Sequence, residues 1–232
     1  MRKRSGWGVA KRDSIALAGL ELVPDITGAL YAPDYRALMV ADLHFEKGSS
    51  RAGRGIHLPP YDTRTTLGAL GDAVARWRPE RLFSLGDSFH DRDGFGRLDA
   101  QDRVQIERLA SLVEIVWLAG NHDPKLSDEL PGTLAQEAAL GPLTLRHLPG
   151  GGGLEIAGHL HPIAAVVKRG RRLSRKCFAG DGERLVMPAF GAYTGGLNVL
   201  ADAFRPLFPG PFTAWMIGRA AIHAFPSGVL RG

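Results

Sequence analysis

The residues best suited to chemistry stand at the ends of four short apolar runs. Leu38-Met39-Val40-Ala41 leads into Asp42-Leu43-His44, and residues 81–85 lead into Gly86-Asp87-Ser88-Phe89-His90-Asp91. Residues 113–119 lead into Gly120-Asn121-His122-Asp123, and Leu154-Glu155-Ile156-Ala157 leads into Gly158-His159-Leu160-His161. Carboxylates, imidazoles and an amide oxygen at such positions can serve a divalent cation or an anionic substrate. These endings carry five of the chain's eight histidines, which is hard to reconcile with core filling. Asp42/His44 and His159/His161 are spaced two apart, so in an extended chain each pair would point to one side and converge on one ion.

Such chemistry suits phosphate esters. Hydrolysis at neutral pH needs a cheaply deprotonated water and an offset for phosphoryl charge, and two divalent ions about 3.5–4 Å apart supply both. One carboxylate must bridge them, while neutral imidazole and amide ligands fill the remaining positions without excess negative charge.

The positioning elements read as an α/β chain. A buried strand that opens into polar residues is typical of sheets that bind ligands at their carboxyl ends. Residues 15–23 and 28–31 read as short strands split by Pro24-Asp25, and residues 36–118 alternate strand and helix, which implies parallel pairing. Residues 45–60 read as a loop rimming the site, whose Lys47, Arg51, Arg54 and His57 are candidates for holding substrate phosphate or are surface charge. A helix begins near Asp62, its expected N-cap, with Leu67, Leu70, Val74 and Trp77 inward. Residues 92–96 form another loop at the site end. A second helix over 98–112 is expected to bury Val104, Ile106, Leu109 and Leu112, and a short helix is expected around 134–139. Strands follow at 143–147, 164–167, 173–178, 185–187, 214–217 and 221–225. The run Lys168, Arg169, Arg171, Arg172, Arg175 and Lys176 around Gly170 reads as a hairpin, either a charged solvated edge or a contact to a phosphate backbone.

Bulk properties narrow the class. With 232 residues, 44% hydrophobic, one substantial core is expected over 13–232, after a basic tail at 1–12. The single cysteine, Cys177, excludes an intrachain disulfide framework and fits a reducing compartment. No apolar run is long enough to span a bilayer, so a cytoplasmic protein is expected. A net charge of +5 suits a polyanion partner.

Taken in order, Asp42-x-His44, Gly86-Asp87-(x)3-Asp91, Gly120-Asn121-His122-Asp123, His147 and Gly158-His159-x-His161 resemble the five motifs of the calcineurin-like metallophosphoesterases. The outer acid of the second motif, Asp91, sits one place late, after His90. More narrowly, Glu46-Lys47-Gly48-Ser49-Ser50 with Leu58-Pro59-Pro60-Tyr61-Asp62-Thr63, the stretch 86–91, and Pro188-Ala189-Phe190-Gly191-Ala192-Tyr193-Thr194-Gly195-Gly196 resemble the ligase-associated DNA damage response endonucleases (PdeM).

The resemblance implies a four-layer α/β/β/α sandwich of two mixed sheets flanked by helices. It implies that Asp42, His44 and His161 hold one ion, Asn121, His147 and His159 the other, and Asp87 bridges. His122 would face the phosphoryl group and Asp123 would orient it. Arg51, Arg54, Arg171 and Arg172 are the expected substrate contacts. The implied cofactors are two divalent ions, most of all Mn²⁺, with Fe or Zn²⁺ compatible. The implied substrate is DNA, in a repair setting with a DNA ligase or helicase nearby. The competing expectation is an esterase for small nucleotides.

Overall fold

In a computed structural model, residues 14–53, 55, 61–150 and 152–232 are described. The expected basic tail at 1–12, Arg54, His57 and the prolines at 59 and 60 lie outside them.

The first sheet contains β1 (Ile15–Leu17), β2 (Leu20–Pro24), β3 (Leu30–Ala32), β4 (Ala37–Val40), β5 (Arg81–Ser84), β6 (Glu114–Leu118) and β7 (Thr133–Ala135), in that spatial order. Pairing is antiparallel from β1 to β4 and parallel from β4 to β7. The second sheet contains β8 (Ala138–Leu140), β9 (Leu143–Arg146), β10 (Glu155–Ala157), β11 (Pro162–Lys168), β12 (Arg171–Gly180), β13 (Arg184–Val186), β14 (Leu197–Asn198), β15 (Thr213–Ile217) and β16 (Ile222–Pro226). Within it β9, β10 and β13 run parallel.

Four helices are described: α1 (Lys47–Ala52), α2 (Asp62–Trp77), α3 (Gly94–Arg97) and α4 (Ala100–Leu112). Leu67, Leu70 and Val74 of α2 and Ile106 and Leu109 of α4 pack on one face of the first sheet. The other face meets the second sheet through Leu22, Leu30, Met39 and Phe83 against Leu145, Phe178, Leu185 and Met187. The far face of the second sheet is covered by Val199, Phe204, Leu207, Phe208 and Leu230, carried by irregular chain with a 3₁₀ turn at 202–204. The result is two mixed sheets with helices on the first and a turn-rich cover on the second.

Several local expectations are corrected. Residues 15–23 form a hairpin, because Ala18 and Gly19 both take positive φ and turn the chain. The 45–60 loop contains α1, and the 92–96 loop contains α3. Asp62 is the first residue of α2 rather than its cap; its carboxylate accepts from Gly48 N at 2.9 Å and so anchors α1 to α2. In α4 the buried stripe runs through Asp102, Ile106 and Leu109, which turns Val104 and Leu112 outward, 60% and 67% exposed. The cap of that helix is Asp99, whose carboxylate accepts from Asp102 N. Residues 133–140 form β7 and β8, not a helix: the segment passes from one sheet edge to the other, and pairing outweighs a weak helical pattern.

Candidate metal centre

All the ligand-type residues sit just past strand ends. Asp42 and His44 follow β4, Asp87 follows β5, and Asn121-His122-Asp123 follow β6; His147 follows β9 and His159/His161 follow β10. Because β4, β5 and β6 are parallel, as are β9 and β10, each set delivers its ends to one side. The two sets meet where His159 N donates to Asp42 Oδ2, and where Phe190 N and Gly191 N, in the segment after β13, donate to Ala41 O and Asp42 O.

The spaced pairs do not converge through an extended backbone, as the sequence suggested. Asp42, His44, Asp87, His159 and His161 all have positive φ, from 46° to 71°. Non-glycine residues adopt this left-handed region at a cost of order 1 kcal/mol or more each, and it persists only where surroundings enforce it. Here the loops after β4 and β5 zip together: Asp42 N donates to Gly86 O, His44 N to Asp87 O, Phe45 N to Ser88 O and His90 N to Phe45 O.

Among the described residues three groups offer ligand atoms within 4.8 Å of one another: Asp42, His44 and His161; Asp87, His147 and His159; and, at the mouth, His44, His90 and His122. His147 Nε2 lies 3.4 Å from Asp87 Oδ1 and 2.8 Å from Asn121 Oδ1, which brings Asn121 into the second group. His44 Nε2 lies 3.8 Å from Asp87 Oδ2 and 3.4 Å from His161 Nε2, so Asp87 stands between the groups. Glycines make this density possible. A Cβ on Gly86 would lie 2.5 Å from the His147 ring, and one on Gly120 2.1 Å from Asp87 Oδ1.

Backbone carbonyls set the tautomers. Nδ1 of His147 faces Leu85 O at 3.0 Å, that of His161 faces Gly195 O at 3.2 Å, and that of His122 faces His90 O at 2.7 Å. A carbonyl only accepts, so each Nδ1 carries the proton and each Nε2 turns its lone pair into the site. Burial holds the His44 imidazole down to about 2, helped by the nearby His161 and Lys47, and burial also lowers His159. Neutral imidazoles are the form that binds metal.

The donor set fits cations for a specific reason. Asp42 Oδ2 accepts from His159 N at 2.9 Å, but Asp42 Oδ1 is buried with no hydrogen-bond partner among the described residues. It lies 3.1 Å from His161 Nε2, an acceptor facing an acceptor. A positive ion between them would remove this conflict.

Asp123 has another job than orienting His122. Its carboxylate accepts from Gly120 N at 3.0 Å, Asp87 N at 3.1 Å and Phe89 N at 2.9 Å, clamping the β5 and β6 loops together. Burial pushes its carboxyl up to about 7, against those N–H groups. His122 is oriented by the His90 carbonyl instead, and its ring stacks on that of His90. His90 Nδ1 lies 3.3 Å from His44 Nδ1, and burial lowers it to about 4. Asp91 pairs with Arg97 outside the ligand groups.

Among the expected substrate contacts, Arg51 lies in α1, close enough that its charge disfavours protonation of His90 and Lys47. Arg54 lies outside the described residues. Arg171 and Arg172 are not brought to the site: they lie at the far end of the β11–β12 hairpin, about 20 Å along the strand from His161. Alternation puts them on opposite faces, and Arg172 donates to Gly232 O at 2.8 Å. Cys177 is fully buried with its thiol pushed up by burial, so it is a core residue and not a nucleophile. His223 is exposed on β16. The sequence reading missed Lys176, which points inward beside the site. The signal was its even spacing from buried Phe178, submerged in a run of surface cations.

The two-sheet α/β fold and this clustered set of carboxylate, imidazole and amide donors are consistent with the metallophosphoesterase superfamily. The chain is similar to the nuclease MPE of Pseudomonas putida, with 29% identity, a TM-score of 0.71, and coverage of 90% of this chain and 98% of that one. It aligns more loosely with YfcE, a phosphoesterase from E. coli, at 16% identity and a TM-score of 0.40 over 83% and 98% of the two chains. No family model and no curated protein matches the chain.

Proposed function

We propose that this protein is a dinuclear-metal phosphodiesterase that cleaves DNA. The observation that carries the reading is the adjacency of the Asp42–His44–His161 and Asp87–His147–His159 groups, which approach each other between His44 and Asp87, with His122 at their mouth. The likeness to a nuclease, at 29% identity, supports the nucleic-acid part. Asp42, His44 and His161 would hold one ion and Asn121, His147 and His159 the other, with Asp87 shared. Such ions supply a nucleophile at neutral pH and offset charge on the phosphoryl oxygens; imidazole-rich ligation suits Mn²⁺, Fe or Zn²⁺ over Mg²⁺ or Ca²⁺.

The chain's own residues do the rest. His122 holds its Nδ1 proton on the His90 carbonyl and presents Nε2 to the reacting phosphate, 3.9 Å from Asp87 Oδ2 and 40% exposed. In its protonated form that nitrogen donates to a phosphoryl oxygen or to the departing oxygen. Asp123 keeps the loops bearing Asp87 and Asn121 in register. A repair role and an association with a DNA ligase or helicase rest on the family resemblance alone, and a cytoplasmic location rests on composition, chiefly the single cysteine.

The test is cleavage by the purified protein with Mn²⁺ on single-stranded DNA, nicked duplex and a chromogenic phosphodiester, with EDTA as control. Metal-dependent turnover is expected; bound metal without turnover on any substrate refutes the reading. The remoteness of Arg171 and Arg172 favours, as the second reading, a phosphodiesterase or phosphomonoesterase for small nucleotides. Arg171→Glu, Arg172→Glu and Arg175→Glu together should depress DNA cleavage and spare the chromogenic ester. Equal effects on both would favour the second reading.

A further inference from the structure

Lys176 lies on β12 opposite Ile163 of β11, two residues past the ligand His161. Its ammonium makes three hydrogen bonds: to Ala189 O at 2.8 Å, to Gly191 O at 3.2 Å and to Thr194 Oγ1 at 2.9 Å. Three protons meet three acceptors, all from the glycine-rich segment that follows β13. That segment lies directly on the metal centre. Phe190 N donates to Ala41 O at 2.8 Å and Gly191 N to Asp42 O at 3.1 Å. Gly195 O faces His161 Nδ1 at 3.2 Å. The approach is close enough that a Cβ on Gly191 would sit 2.3 Å from Leu43 O, and one on Gly196 2.2 Å from His161 O.

From this geometry we infer that Lys176 is a positioning residue for the Asp42–His44–His161 ligand group. It ties down the 189–196 segment, and that segment fixes the backbone of Asp42 and the tautomer and direction of His161. A chain with this much glycine has high conformational entropy and does not hold such a course unaided. A compact ammonium suits the convergent carbonyl, carbonyl and hydroxyl oxygens, whereas the planar fork of arginine does not. Burial lowers Lys176 to about 8, so it still carries all three protons at neutral pH. The inference rests on the metallophosphoesterase reading. Outer partners that orient metal-binding histidines are typically worth about 10–100-fold in metal affinity.

The experiment is calorimetric titration of metal-free protein with Mn²⁺ at pH 7.5, alongside circular dichroism and thermal unfolding in EDTA. The proteins are wild type, Lys176→Met, Lys176→Arg and Thr194→Val. Wild type should take two ions. Lys176→Met should remain folded yet lose about 10–100-fold in affinity for one ion, the other changing by less than about threefold. Lys176→Arg should recover part of the loss at most, and Thr194→Val, which removes one of three acceptors, should show a smaller loss at the same ion. A folded Lys176→Met that binds two ions with wild-type affinity overturns the inference, as does equal weakening of both ions. If Lys176→Met does not fold, Thr194→Val decides, and unchanged affinity there overturns it. Wild type that takes up no Mn²⁺ overturns the metallophosphoesterase reading, and the inference falls with it. Wild-type uptake with an unaffected variant sinks the inference alone.

Discussion

Replacing Asp42 with asparagine should stabilise the metal-free protein while crippling the metal-loaded one. Asp42 Oδ1 is fully buried, has no hydrogen-bond partner among the described residues, and faces the lone pair of His161 Nε2 at 3.1 Å. An asparagine can keep its oxygen on His159 N, where Oδ2 now accepts at 2.9 Å, and place its NH₂ against His161. One uncompensated buried acceptor disappears and one hydrogen bond forms. Relieving such a group is worth about 1–3 kcal/mol. At about 2–4 °C per kcal/mol for a chain of this size, Tm in EDTA should rise by roughly 2–12 °C. The measurement belongs at pH 8, above the ordinary imidazole range, so that no His–Asp ion pair confuses the comparison. Excess Mn²⁺ should reverse the order. Wild type gains about 2.7 kcal/mol at one hundred times its Kd, and the variant, lacking an anionic ligand, gains far less. Differential scanning fluorimetry with EDTA and with Mn²⁺ reads both. An Asp42→Asn protein that melts at or below wild type in EDTA would refute the claim that this carboxylate is held in conflict.

Other outcomes follow from the same geometry. Gly120→Ala would drive a methyl to 2.1 Å from Asp87 Oδ1 and 2.2 Å from Asp87 N; it should cost about 1–3 kcal/mol and abolish metal-dependent turnover, read by melting and by chromogenic assay. His122→Gln should lower kcat by about 10²–10⁴-fold with Mn²⁺ affinity changed little by calorimetry, since its Nε2 faces the site mouth and, although it forms a cluster with His44 and His90, it is in neither of the groups built on Asp42 and Asp87. Asp123→Ala should destabilise by more than about 3 kcal/mol in EDTA and Mn²⁺ alike, because three buried N–H groups lose their acceptor; unchanged denaturant melts would contradict the clamp role. Lys176, lowered to about 8 from 10.5, binds fewer protons folded than unfolded between those values, so stability should rise with pH across that window, by at most about 1.4 kcal/mol per unit. Melts of wild type against Lys176→Met from pH 7.5 to 10 should therefore diverge in favour of wild type.

Much of this site is written in local sequence. An apolar run that ends in Gly-Asp or Gly-Asn-His-Asp announces a strand end with ligands, and Asp42, Asp87, Asn121, His147, His159 and His161 do converge. The backbone that achieves it was not legible. Asp42 and His44 converge through left-handed φ values enforced by the neighbouring loop, a long-range effect that no i, i+2 rule contains. The role of Asp123 was misread for a related reason: its partners, Asp87 and Phe89, are more than thirty residues away. Lys176 was hidden because a run of six cations reads as surface, and only tertiary placement separates the inward one from the rest. In α4, Val104 and Leu112 misled because the true stripe passes through a polar residue, Asp102, tied to Arg64.

The proposed ligands are divided between the sheets: four come from the first, before residue 124, and three from the second, after residue 146. Neither half of the gene product carries a complete set for either ion as assigned. During synthesis, a chain that has emerged only as far as β7 has all seven strands of the first sheet but only four of these seven donors. If the site holds the ions proposed for it, tight metal capture would wait until the two sheets have docked.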